Sequence, residues 1–129
     1  MLYYLEAFDF DVNNKQLLPS LLPEFKDKLF LIMAKADWCP HCVHATPEFE
    51  KTDQLLANNR DIVLCYVNIT GETDEEKKTK DIVGKFFDGF RGFPGFYAFM
   101  NGKQVGNHNG PREGDAFAKF ATSLKKASL

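Results

Sequence analysis

Runs of apolar and polar positions divide the chain into strands and helices. Continuous apolar runs at Leu29–Ala34 and Ile62–Ile69 are typical of strands that are covered on both faces of a sheet. Between these runs, apolar residues recur three or four positions apart, which predicts a helix with one inward face. That face comprises Cys42, Ala45, Phe49, Thr52 and Leu56. Pro40 suits the first turn of this helix, whereas Pro47 lies inside it, where we expect a kink.

The second half of the chain carries clear start and turn signals. Thr73 and Glu76 have the spacing of a capping box, so a helix should begin there. Its inward residues are predicted to be Ile82, Val83, Phe86 and Phe87. Asn101-Gly102 is a strong hairpin signal between the predicted strands Phe96–Met100 and Lys103–Gly106. A C-terminal helix should bury a stripe formed by Phe117, Phe120, Ala121 and Leu124.

The N-terminal segment is less regular. Leu2–Phe8 is rich in aromatic residues and is predicted to contain an edge strand. A helical face follows, formed by Leu17, Leu18, Leu21, Leu22 and Phe25. Pro19 and Pro23 interrupt it, so we expect short or broken helical turns. From Leu29 onward the order is strand, helix, strand, helix, strand, strand, helix, which predicts an α/β fold with a central mixed sheet flanked by helices.

Composition narrows the possible functions. A chain of 129 residues that is 44% apolar and contains 13 Phe fits one domain with a substantial core. A net charge of −2 argues against nucleic-acid binding, and the absence of a long apolar run argues against a membrane partner. The N-terminus lacks the basic flank and apolar stretch of a secretory signal, so we expect a cytoplasmic protein, although a removed signal would also fit. We expect a monomer.

The candidate chemistry lies in the sequence Cys39-Pro40-His41-Cys42, at the junction of a strand and a helix. The N–H groups and the dipole of a helix N-terminus favour a thiolate at Cys39. Cys42 lies one turn further on, within reach of a disulfide, so we expect Cys39 to be exposed and to attack, and Cys42 to be shielded and to resolve. His41, when protonated, would stabilise the thiolate further, and with it the reduced form of the pair.

Other candidates point to less specific roles. Cys65 lies in a predicted buried strand, where a lone cysteine is usually a small apolar filler. The pair Cys39 and Cys42 lacks the second ligand pair that a structural zinc site needs, although His41 and His44 are near, so we predict no metal. The charged stretch Glu72–Lys80 is expected to be the solvated face of a helix, with a docking surface as the alternative.

Two separated motifs resemble the thioredoxin superfamily. Ala36-Asp37-Trp38-Cys39-Pro40-His41-Cys42 is similar to its Trp-Cys-x-x-Cys active site, with Pro47 at the helix-kinking proline. Gly89-Phe90-Arg91-Gly92-Phe93-Pro94-Gly95-Phe96 resembles the segment that carries its cis-proline, and Gly110 matches a loop glycine beside the disulfide. The resemblance covers about Leu29 to Leu124. It implies a single thioredoxin-like domain over residues 1–129.

The resemblance also implies roles for the site residues. Cys39 and Cys42 would exchange disulfides with protein substrates, without a cofactor, and a reductase or a thiol oxidase would be the redox partner. Pro94 would be cis, Phe93 would pair with an extended substrate peptide, and Trp38 and Gly110 would border the groove. The dipeptide Pro40-His41 is that of oxidising DsbA-type enzymes, so we expect a stronger oxidant than ordinary thioredoxin.

The chain departs from the family at two positions. Thioredoxins carry a buried acid six residues before the first cysteine, and here that position is Met33. The lysine that partners the acid corresponds to Tyr66. Proton transfer at Cys42 should therefore use water, Tyr66 or a nearby surface group.

Two alternatives to this function are a glutaredoxin-like, glutathione-dependent enzyme and a non-catalytic binding module of the same fold. Asn101-Gly102-Lys103 replaces the glutathione-binding Gly-Gly turn that is typical of glutaredoxins.

Overall fold

From Leu29 onward, the described elements follow the order that the apolar pattern predicts. The computed structural model describes residues 2–17, 26–69 and 73–127, except for the side chain of Glu75. The strands are β1 (Leu2–Tyr4), β2 (Phe10–Asp11), β3 (Gln16–Leu17), β4 (Leu29–Lys35), β5 (Ile62–Asn68), β6 (Gly95–Met100) and β7 (Lys103–Asn107). The helices are α1 (Pro40–Leu55), α2 (Asp74–Phe86) and α3 (Gly114–Ala127), with a 3₁₀ turn at Ala7–Asp9.

A mixed sheet of five strands, in the order β1-β5-β4-β6-β7, forms the centre of the described structure. β1 and β4 run parallel to β5, whereas β6 runs antiparallel to β4 and β7 antiparallel to β6. Every residue of β4 is buried, as expected for the central strand of a sheet that is covered on both faces. The α/β class with a central mixed sheet is confirmed.

Aromatic rings fill the space on both faces of the sheet. On one face, the ring of Phe49 from α1 packs against Tyr66 and Phe117, at centroid distances of 5.3 and 5.8 Å. On the other face, Phe86 stacks on Phe99 at 5.5 Å and Phe87 stacks on Tyr97 at 4.2 Å. Because successive strand residues point to opposite faces, the abundant Phe residues supply two separate core layers. α1 and α3 cover one layer, and α2 covers the other.

The predicted start and turn signals are present. Thr73 Oγ1 accepts a hydrogen bond from the N–H of Glu76 at 3.0 Å, and the Glu76 side chain accepts one from the N–H of Thr73 at 3.3 Å. Asn101 and Gly102 have φ values of 49° and 87°, the left-handed conformation that a two-residue hairpin turn requires. Both features fix the ends of elements that carry the core residues.

The N-terminal expectations are corrected in part. The edge strand exists as β1, but it ends at Tyr4 because a 3₁₀ turn follows at Ala7–Asp9. Leu17 lies in β3 rather than in a helical turn, because its N–H donates to the carbonyl of Gly102 at 2.9 Å. The remaining residues of that predicted face, Leu18, Leu21, Leu22 and Phe25, and the prolines Pro19 and Pro23, lie outside the described residues.

Two further predictions concern the charged stretch and the absence of a membrane span. The described part of the charged stretch, from Thr73 to Lys80, lies on α2 and the turn before it and is mostly exposed, whereas Glu72 lies outside the described residues. Among the described helices, none combines the length and the apolar character needed to traverse a bilayer.

Candidate active site

The position of Cys39 follows from the junction between β4 and α1. A short turn, Ala36–Trp38, ends the strand, and Cys39 is the N-cap of α1 with extended backbone angles. Pro40 is the first helical residue, where its missing N–H is not needed. The N–H of Cys42 donates to Cys39 Sγ at 3.4 Å, so the sulfur occupies the place of a capping oxygen. The predicted placement of the motif on a helix N-terminus is confirmed.

Cys39 is less open to solvent than expected. We predicted an exposed attacking cysteine, but only 6% of Cys39 is exposed. The exposure of Cys39 is low because Trp38 and Phe93 flank the motif, and their rings meet edge to face at 6.1 Å. The Cys39 thiol donates a hydrogen bond to the carbonyl oxygen of Phe93 at 3.6 Å. Trp38 itself is 66% exposed and forms an apolar wall beside the cysteine.

The Phe93–Pro94 segment borders a cavity of about 320 Å³. The peptide bond between these two residues is cis, as the resemblance implies. Gly110 lines the same cavity from the loop between β7 and α3, and so do two arginines, Arg91 and Arg112. Trp38 and Phe93, which were predicted from separate parts of the sequence, are therefore found beside Cys39, and Phe93 also lines the cavity that contains Pro94 and Gly110. The arginines were not predicted.

Cys42 lies in a different environment from Cys39, although the two are one helical turn apart. It is buried beneath the start of α1, and this burial is the main reason why its pKa rises from 9.0 to about 12. The Cys39 thiol adds to the rise, whereas a hydrogen bond from the Ala36 backbone and the charge of Lys35 act in the opposite direction. Cys42 therefore rests as a neutral thiol.

The two positions at which the chain departs from the family both hold buried, uncharged side chains. Met33 is fully buried in β4, and its partner across the parallel register is Tyr66 of β5. Burial is the main cause that raises the pKa of Tyr66, and the nearby Glu50 carboxylate adds to it. The Tyr66 hydroxyl donates to Glu50 Oε1 at 3.5 Å, and Glu50 lies two turns further along α1 than Cys42.

A polar network at the end of β4 escaped the sequence analysis. Lys35 Nζ lies 3.1 Å from Asp37 Oδ1 and 5.3 Å from the centroid of the Tyr66 ring. Asn68 donates to Asp37 Oδ2 at 3.2 Å and to Glu76 Oε2 at 2.9 Å. The hydrogen bond from Lys35 is the main cause that lowers the pKa of Asp37. The sequence does contain a signal for this network, because Lys35 follows six apolar residues of one strand and lies on the same face of it as Met33.

The remaining cysteine and histidines lie apart from this arrangement. Cys65 is fully buried in β5, as a filler residue would be, and burial raises its pKa. His41 and His44 are exposed on α1, while His108 contacts the carbonyl of Pro111 at 2.7 Å. Within residues 2–17, 26–69 and 73–127, no three His, Cys, Asp or Glu side chains come together in a way that would hold a metal ion.

Solved structures share this fold. Human ERp44 superposes with a TM-score of 0.65 and 17% sequence identity, covering 95% of this chain and 32% of that one. Thioredoxin f from spinach chloroplast gives a TM-score of 0.64 and 17% identity, covering 96% of this chain and 86% of that one. At these identities, the likeness establishes the fold alone.

Sequence relatives identify the family. The putative thioredoxin-like protein 453L of Invertebrate iridescent virus 6 is 27% identical over 118 residues, which cover 84% of this chain and 83% of that protein. Protein disulfide-isomerase of Hordeum vulgare is 37% identical over 98 residues, which cover 74% of this chain but only 17% of that protein. The sequence model of the Thioredoxin family matches residues 12–123. The chain therefore belongs to the thioredoxin family of thiol–disulfide oxidoreductases.

Proposed function

We propose that the chain exchanges disulfides with protein substrates through Cys39 and Cys42, and that it is a stronger oxidant than ordinary thioredoxin. The position of the Cys39 sulfur carries the proposal. This sulfur caps α1, accepts the N–H of Cys42 at 3.4 Å and lies 3.6 Å from the carbonyl oxygen of Phe93. The helix N-terminus stabilises negative charge on the sulfur, and the second thiol is one turn away.

Electrons and protons balance in both directions of the exchange. With the pair oxidised, a substrate thiolate attacks Cys39 Sγ, the Cys39–Cys42 bond breaks, and Cys42 leaves with the electron pair and takes up a proton. A second substrate thiolate then attacks the substrate sulfur of the mixed disulfide and releases Cys39 as a thiolate. The substrate loses two electrons and two protons, and the enzyme pair gains the electrons. In the reducing direction, the Cys39 thiolate attacks a substrate disulfide and Cys42 resolves the mixed disulfide.

The groove beside Cys39 suits an extended peptide. Trp38 and Phe93 border the sulfur, and Phe93 also lines the cavity that contains Pro94 and Gly110. A substrate strand that pairs with the backbone of Phe93 would bring its own sulfur toward Cys39. Main-chain pairing is independent of side chains, so the same groove would accept many protein substrates.

Two features support the oxidising assignment. His41 is exposed on the first turn of α1, beside Cys39, and its protonated form would stabilise the Cys39 thiolate. Stabilising the thiolate stabilises the reduced pair and makes the disulfide a better oxidant. The second feature is Met33, a neutral buried residue at the position where thioredoxins carry a buried acid.

Single cysteine variants test the exchange. Cys39→Ser should abolish both insulin reduction and oxidative refolding of a reduced substrate protein, whereas Cys65→Ser, the matched control, should retain both activities. Cys42→Ser should trap substrates on Cys39 as mixed disulfides that mass spectrometry can identify. If Cys39→Ser were as active as the native protein, the chain would be a binding module, not an enzyme.

Equilibration against glutathione buffers tests the oxidising strength. We expect a potential above the value of roughly −270 mV that is typical of thioredoxin. His41→Gln should lower it toward that value, whereas His44→Gln should leave it unchanged, because His44 is an exposed histidine of the same helix that lies outside the cysteine motif. A native potential as low as that of a reductase would overturn this part of the proposal.

A further inference from the structure

We propose that Lys35 supplies the positive charge that favours the Cys42 thiolate in the resolving step, in place of the buried acid that this chain lacks at Met33. The inference rests on the proposed function, because it assigns Cys42 as the resolving thiol. Lys35 does not touch the substrate. It is therefore a positioning residue, which acts through the charge on Cys42.

The strand geometry places Lys35 on the correct face of the sheet. Residues 33 and 35 of β4 point to the same face, because strand side chains alternate. Tyr66, opposite Met33, packs on that face against Phe49 of α1 at 5.3 Å. Lys35 Nζ lies 5.3 Å from the centroid of the Tyr66 ring, so its ammonium group lies on the face that α1 covers. Since Lys35 is the last residue of β4, it is close to the end of α1 that carries Cys42.

The residue that follows β4 contacts Cys42 directly. The backbone of Ala36, the residue after Lys35, hydrogen-bonds to the Cys42 thiol in the sense that favours the thiolate. The charge of Lys35 also lowers the pKa of Cys42, against the dominant effect of burial. Lys35 is thus the cationic side chain that acts on the resolving sulfur, from the strand on which the family carries its buried acid.

Charged and titratable groups from the turn after β4, from β5, from α1 and from α2 lie around Lys35 and Cys42. From the turn after β4, Asp37 pairs with Lys35, but 56% of the Asp37 side chain is exposed, against 11% for Lys35. Water therefore screens the carboxylate more strongly than the ammonium group. From β5, the neutral Tyr66 offers its ring to Lys35 and its hydroxyl to Glu50 of α1. From α2, Glu76 is bonded to Asn68. Cys39 of α1 raises the pKa of Cys42, but it carries no charge once it is bound in the mixed disulfide.

The charge would act at one defined step. In the mixed disulfide, Cys42 gives its proton to water, and its thiolate attacks Cys39 Sγ. The bond between Cys39 and the substrate sulfur breaks, and the substrate sulfur leaves with the electron pair and takes up a proton. Lys35 transfers no proton in this step, because its role is to stabilise the transient thiolate by its charge. No electron donor beyond the two thiols is required.

The two steps can be timed separately with 5,5′-dithiobis(2-nitrobenzoate). In a Cys65→Ser background, attack by Cys39 releases one thionitrobenzoate, and resolution by Cys42 releases the second. We expect Lys35→Met to slow the second phase severalfold at pH 7 and to shift its pH profile toward higher pH, because fewer Cys42 thiols ionise at a given pH, while the first phase is unchanged. Lys35→Arg should restore most of the rate, because it keeps the charge.

A variant with the opposite expected sign guards against a merely structural effect. Asp37→Asn removes the carboxylate that opposes Lys35, so the second phase should be as fast as in the native protein or faster. Circular dichroism shows whether each variant is folded, and the largely exposed Asp37 side chain makes that variant the more tolerant of the two. The inference is overturned if Lys35→Met keeps the native pH profile, if Lys35→Arg is as slow as Lys35→Met, or if Asp37→Asn slows the second phase equally.

Failure of this inference is distinguishable from failure of the proposed function. The thionitrobenzoate phases require only the two cysteines and a small disulfide. If insulin reduction and refolding were absent while the second phase still depended on Lys35, the protein-substrate assignment would fall and the role of Lys35 would stand. If both activities were present and the second phase ignored Lys35, the reverse would hold.

Discussion

Burial of Cys42 should make the reduced protein sensitive to alkali. The unfolded chain ionises this thiol at a pKa of 9.0, but the folded chain does so only at about 12. A group whose pKa is raised by folding stabilises the fold fully below the unfolded value and loses that contribution as pH rises toward the folded value. The relevant window therefore begins near pH 9 and extends to about pH 12.

The size of the effect follows from the two ionisation constants. At pH 10 the unfolded thiol is ionised about ten to one, whereas the folded thiol remains almost entirely protonated. Ionisation thus lowers the free energy of the unfolded chain by about 1.4 kcal/mol at pH 10. A folded pKa of 11 would give almost the same figure, because ionisation of the unfolded chain sets it.

The measurement compares the native protein with Cys42→Ala, each kept reduced with a phosphine. Urea unfolding at pH 7 and pH 10 gives four free energies of unfolding. Cavity and packing effects of the substitution cancel in the pH difference, and Cys65 and Tyr66 titrate in both proteins. We expect the native protein to lose about 1.4 kcal/mol more than the variant between the two pH values. Equal losses would show that Cys42 ionises in the folded chain as in the unfolded one, which would refute the burial argument.

Substitutions at four other residues test the fold and the groove. Phe49→Ala should reduce the free energy of unfolding by about 3–5 kcal/mol in urea titrations, because its ring is fully buried between two helices and the sheet. Thr73→Ala should cost about 1 kcal/mol in the same assay by removing the cap that accepts the Glu76 N–H, and Thr73→Ser should restore most of it. Acidic peptide disulfides should react faster than basic ones, because Arg91 and Arg112 line the cavity beside Pro94. Replacing both arginines by alanine should reduce this ratio of rates, and an unchanged ratio would contradict the reasoning.

The elements that the sequence predicted are those that a local pattern specifies. The apolar run of β4, the Thr73 cap and the Asn101-Gly102 turn depend on residues that are adjacent or a few positions apart. β3 was not predicted because two residues give no period, and its N–H pairing depends on Gly102, which is distant in the sequence. A run of leucines therefore indicated a helix at a position where a tertiary hydrogen bond holds a strand.

The same distinction applies to the site. The sequence placed Cys39 on a helix N-terminus, because Pro40 and the preceding apolar run are local signals. It did not predict the burial of Cys39, because Phe93 lies 54 residues away and covers the sulfur only in the folded chain. Lys35 was missed for a related reason. A lysine at the end of a strand normally extends into water, and only the packed position of Tyr66 shows that this one is held inside.

The chemistry of the pair depends on two sulfurs that share a helical turn and have opposite environments. The first caps the N-terminus of a helix, whose dipole and N–H groups act on it directly, and its thiol donates to the carbonyl of Phe93. The second lies beneath that turn, where burial keeps it protonated at rest. Resolution by Cys42 would therefore be the step that must be assisted. A positive charge at the end of β4 would stabilise the second thiolate, so the position of Lys35 fits the step that needs it.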